Sequence, residues 1–190
     1  MFSFALAVCM MFAANTAARS DPDAYAEDPK HVNEQKLSAL TDLEGALFIR
    51  KRDYRKESPF HCHYAKKLRN NGDGTFTYEL GAIRKGNTKY GSFEVVVTPM
   101  TTGDHKEENA ASYQESPNEV AGTHKIVTMN DERTCFLLSL QYGSSNVCIL
   151  LMTAETVGSE VIPEPCNSVY EQYCGESIEI YQSHCSPPPS

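Results

Sequence analysis

The sequence predicts an all-β fold: an eight-stranded antiparallel barrel with a short N-terminal helix before it and a C-terminal helix after it. Two features of the strands carry this. Short apolar or alternating segments recur along the chain, each ended by a turn-forming cluster such as Asn70-Asn-Gly-Asp-Gly74 or Gly86-Asn87, and consecutive strands with short turns make an antiparallel meander. Closing that meander into a barrel removes its exposed edges. The cysteines add a third observation. Cys135, Cys148, Cys166, Cys174 and Cys185 crowd the last third of the chain, and Cys62 stands well ahead of them.

Residues 1–18 contain an apolar run from Phe2 to Phe12, then Ala13-Ala-Asn-Thr-Ala-Ala18, and no charged side chain. This is the pattern of a secretory signal peptide cut near Ala18. The apolar run is far shorter than the roughly 20 residues a membrane span needs. The expected organisation is a signal over 1–18 and one domain over 19–190. Residues 19–30 read as a polar arm, and His31 to Leu40 as a short amphipathic helix with Val32, Leu37 and Leu40 as its apolar contacts.

Gly45 to Ile49 opens a first strand, which runs into Arg50-Lys-Arg-Asp-Tyr-Arg-Lys-Glu57, read as a solvated strand end. Phe60 to Leu68 is a second strand. Its terminal turn lacks the spaced acids and distal Glu of a calcium loop. Thr75 to Leu80 alternates, with Phe76, Tyr78 and Leu80 on one face. Tyr90 to Thr98, Ala110 to Gln114 and His124 to Met129 follow, with a polar loop over 101–109. Cys135-Phe-Leu-Leu-Ser-Leu and Val147-Cys-Ile-Leu-Leu-Met form a hairpin about Gly143-Ser-Ser-Asn146. Cys166 to Cys174 can form a helix, and Ile178 to Tyr181 leads to Cys185.

The chain has 17 basic and 25 acidic residues and a formal charge of −8, a poor balance for nucleic acid or anionic membranes. Loss of Cys9 with the signal leaves six cysteines, an even number that in a secreted chain implies three disulfides. Spacing alone leaves 15 pairings open. No C-x-x-C pair suggests a zinc ribbon or a redox site. No G-x-S-x-G, H-E-x-x-H or phosphate-cradling glycine loop is present. A binding module is expected, not an enzyme, with no cofactor and no metal.

The cysteines of the final hairpin, with Cys166 leading into a helix, make residues 31 to 185 resemble the tick salivary lipocalins, the tick histamine-binding protein family. The resemblance implies a lipocalin-like barrel and the pairs Cys62–Cys185, Cys135–Cys166 and Cys148–Cys174. If those cysteines point outward, period-two alternation turns His61, His63, Phe136, Leu138, Ile149 and Leu151 inward. The two histidines could then hydrogen-bond a ligand carboxylate, or be ordinary half-buried side chains; as a metal pair they lack a third ligand.

Amine-binding members of the family carry an acid after the first hairpin cysteine and a Glu-Leu-Trp-like triplet on the next strand. Here Phe136 and Ile149-Leu150-Leu151 stand in those places, and there is no Trp. Asp42, Tyr54, Glu57 and Tyr113 fall where the resemblance places ligand-site acids and aromatics, and Phe93 replaces another acid. The implied function is a secreted, monomeric binder that sequesters a small host mediator. That mediator is either an apolar lipid or an amine such as histamine or serotonin held near Tyr54, Glu57 and Tyr113. The alternative is a scaffold that binds a host protein through its outer loops.

Overall fold

The computed structural model of the protein describes residues 20–185; the signal peptide expected over 1–18 lies outside them. Eight antiparallel strands close on themselves: β1 (Ala46–Arg52), β2 (Phe60–Asn70), β3 (Phe76–Arg84), β4 (Tyr90–Met100), β5 (Ala110–Tyr113), β6 (Gly122–Met129), β7 (Cys135–Tyr142) and β8 (Ser145–Thr153). Each pairs with the next, and β1 closes the ring by pairing with both β2 and β8. A short ninth strand, β9 (Ile178–Glu179), adds to β1 at Lys51 and Arg52. There it takes the edge that β2, paired with β1 over Ala46–Phe48, no longer covers.

Alternation sorts the side chains into two cores. Leu47, Tyr78, Val95, Val97, Phe136, Leu138, Ile149 and Leu151 pack inside the barrel. Phe48, Leu137, Leu150 and Met152 face outward and are covered by helix α3 (Cys166–Tyr173), through Val169 and Tyr170. Three disulfides, Cys62–Cys185, Cys135–Cys166 and Cys148–Cys174, join these layers. They are the three pairs that the family resemblance implies.

The N-terminal segment differs from the expected polar arm and single helix. Pro22–Ala26 forms α1, capped by the Asp21 side chain on the Asp23 N–H, and Ala26 is wholly buried on the outer core. A 3-10 turn over Pro29–Glu34 and the short α2 (Ser38–Thr41) divide the segment read as one helix. The break has a cause at Gln35. Its buried side chain donates to the carbonyls of Tyr25 and Val127 and binds His105, so the chain is anchored there instead of continuing a helix. After the break Leu37 and Leu40 reach into the barrel interior.

Of the four register shifts among the described strands, two overturn the alternation expected at residues the sequence singled out. In β2, His61 pairs with Ile83 and Tyr64 with Gly81, so Cys62 and His63 together face one residue; Cys62 takes φ of 52°. A bulge of this kind puts an extra residue on one strand and resets its faces. His61 therefore shares the outer face with Cys62, contrary to the expectation that it lines the cavity, and His63 alone turns in. In β1 the register shifts between Ile49 and Lys51. The charged run is consequently not a solvated end: Lys51 lies 4.2 Å from the Tyr170 ring centroid, and Arg52 is 3% exposed.

Candidate functional site

The barrel interior divides along its axis. Toward the α2 end is a cavity of about 520 Å³, counting the part that opens to solvent, lined by Leu37, Leu40, Leu47, Ala65, Tyr78, Leu80, Val97, Ala111, Tyr113, His124, Leu138 and Leu151. Its wall is almost entirely carbon, and small-molecule pockets are predominantly apolar-lined. Two polar groups matter against that wall. The Tyr78 hydroxyl is buried with no hydrogen-bond partner, and burial, aided by Asp42 and Glu44, pushes its pKa up to about 12. It stays a neutral donor across the physiological range. At the other end of the wall the Tyr113 ring stacks on His124, with centroids 3.9 Å apart and 14° between planes.

Beyond that stack lies a charged cluster. Tyr54 donates to Glu115 Oε1, Arg55 Nη2 lies 3.2 Å from Glu115 Oε2, and His124 Nε2 lies 3.5 Å from Oε1. Arg55 also bonds Glu119 at 2.7 Å, and so ties the end of β1 to the β5–β6 loop. Burial raises the Glu115 pKa, but His124, Tyr54 and Arg55 together outweigh it and hold the carboxyl below its ordinary value. The Tyr54 phenol moves well up, through burial and then the Glu115 charge. His63 completes the cluster. Burial, reinforced by Arg52, lowers its pKa from 6.5 to about 4, and its Nε2 is buried without a partner.

The sequence-derived residues fall in different parts of this layout. Tyr113 and Leu151 line the cavity. Phe136, Ile149 and Phe93 belong to the interior packing around it. Tyr54 and His63 sit in the charged cluster. Asp42, the C-cap of α2, and Glu57, in the turn after β1, are exposed. The acid inside the barrel is Glu115. The sequence carried no periodic signal for it: Glu115 follows the end of β5 in a bend, and Glu115-Ser-Pro117 reads as loop.

The family model described as tick histamine binding protein matches residues 25–187. The chain belongs to that family. Among solved structures it is similar to Japanin from Rhipicephalus appendiculatus bound to cholesterol, at 16% identity and a TM-score of 0.56, covering 75% of this chain and 96% of that one. It is also similar to AM182 in its serotonin complex, at 17% identity and a TM-score of 0.56, covering 87% of this chain and 94% of that one. At this identity the likeness shows the shared lipocalin-like barrel. No curated protein sequence matches the chain.

Proposed function

We propose that the protein is a secreted, monomeric lipocalin, one domain over 19–190 after loss of its signal. In this reading it sequesters a small host mediator at a feeding site, and the mediator is an apolar molecule with one neutral polar group. The observation that carries this is the almost wholly carbon wall of the cavity, with Tyr78, whose buried hydroxyl has no hydrogen-bond partner, among its lining residues. A ligand hydroxyl or carbonyl would satisfy that hydroxyl, and the remaining wall would bury the ligand's carbon skeleton. Cholesterol in the Japanin structure is a molecule of that chemistry.

The amine reading has one observation in its favour, the Glu115 carboxylate beyond the Tyr113–His124 stack. That carboxylate is already engaged by Arg55, Tyr54 and His124, so an ammonium group would have to displace a cation held in place. Calorimetric titration of the signal-free protein with a soluble sterol, histamine and serotonin separates the two. The lipid reading expects heat with the sterol, weakened about fivefold by Tyr78→Phe for one lost hydrogen bond, while the unfolding midpoint of the ligand-free variant does not fall, since the lost hydroxyl was unpartnered. Heat with an amine alone, abolished by Glu115→Gln, would overturn it.

A further inference from the structure

A second constellation lies outside the barrel, where the C-terminal tail meets β2. His61 precedes Cys62, His184 precedes Cys185, and those cysteines form one disulfide. The crosslink therefore brings two histidines together from positions far apart in the chain. Their Nε2 atoms are 3.1 Å apart and their rings meet at 70°. His61 is 8% exposed, whereas His184 lies open to solvent.

We propose that His61 and His184 form a surface site for one divalent transition-metal cation of the zinc class. Two nitrogens 3.1 Å apart can each stand about 2.0–2.1 Å from a shared cation, at an angle of roughly 100° between tetrahedral and octahedral values. Without the ion, a proton shared between the two nitrogens holds the same distance; the cation takes the place of that proton. Water completes the coordination on the exposed His184 side. The Cys62 sulfur lies within 4.8 Å of both imidazoles, but it is bonded to Cys185 and offers no thiolate. Its part is to fix the pair in advance, which lowers the ordering cost of binding.

The chemistry also sets selectivity. The donor group contains no carboxylate. A hard oxygen-seeking ion finds no ligand there, whereas imidazole suits zinc, copper and nickel.

Titration of the chelator-treated, disulfide-intact protein with zinc chloride, and with calcium chloride as control, tests the site. One zinc per chain is expected, with no calcium bound. His184→Ala, at an exposed position that cannot compromise the core, should weaken zinc binding more than tenfold, and His61→Ala likewise. Zinc should also raise the unfolding midpoint of the wild type and leave that of His184→Ala unmoved. No zinc binding by the wild type, or equal binding by His184→Ala, would reduce the pair to a hydrogen bond and overturn the proposal.

Discussion

His63 stands in the charged end of the barrel beside Arg52, Arg55 and Glu115. Its folded-state pKa, about 4, is depressed below the 6.5 of the unfolded chain. The unfolded state thus takes up a proton at a pH where the native state does not. The stability linked to His63 is fully present above pH 6.5 and is lost as the pH falls from 6.5 toward 4. Between pH 7 and pH 5 the loss is about 2 kcal/mol. His63→Leu should flatten that part of the profile in urea unfolding at the two values; an unaltered slope would assign it to another group. Glu115 acts in a separate window, since its depressed carboxyl loses its stabilisation only below the ordinary carboxylate range. At this scale alternation placed Leu151 and the family resemblance pointed to Tyr113, and both line the cavity. Glu115 was hidden because a lone acid in a polar segment has no periodicity to mark it, and Glu57 drew attention through the family pattern although its turn leaves it exposed.

The strands show the same division at the level of elements. In β7 and β8 uninterrupted alternation, with Cys135 and Cys148 facing out, places Phe136, Leu138, Ile149 and Leu151 inside as the sequence implies. In β2 the bulge at Cys62 moves His61 to the outer face, and no local residue such as glycine announces it. Downstream of that bulge, Tyr64 pairs with Gly81 and lays its ring over it. A Cβ at Gly81 would stand 2.3 Å from Tyr64 Cε1, so the ring holds the place of the missing side chain. The Tyr64 hydroxyl bonds Glu79 at 2.6 Å and fixes the ring there. Gly81→Ala should therefore cost about 1–3 kcal/mol, the usual range for overpacking. In a Tyr64→Ala background the same change should cost much less. A double-mutant cycle by chemical denaturation measures the difference, and additive effects would show that the ring is not the obstacle.

Across the whole molecule the disulfides do unequal work. Cys135–Cys166 and Cys148–Cys174 span 31 and 26 residues and fasten α3 over the outer core, whereas Cys62–Cys185 spans 123 and joins the tail to β2. Six cysteines outside the expected signal made three bridges legible, but their partners came from the family resemblance, because spacing does not encode pairing. Nor could spacing show that the tail fills an edge of β1. There Ile180 donates its N–H to the Arg50 carbonyl at 3.0 Å, and the Cys62 N–H donates to the Ile180 carbonyl at 3.1 Å. A two-residue strand has too few bonds to hold itself, so its persistence should depend on the crosslink. Replacing Cys62 and Cys185 together by Ala should cost about 2–5 kcal/mol and speed hydrogen exchange at the Ile180 amide more than tenfold. The Val169 and Cys174 amides of the α3 region, bonded to Pro165 and Tyr170 and held by the other two bridges, should keep their protection. If Ile180 stays as protected as in the wild type, β9 is held by its pairing with β1, and the long bridge acts on the unfolded chain alone.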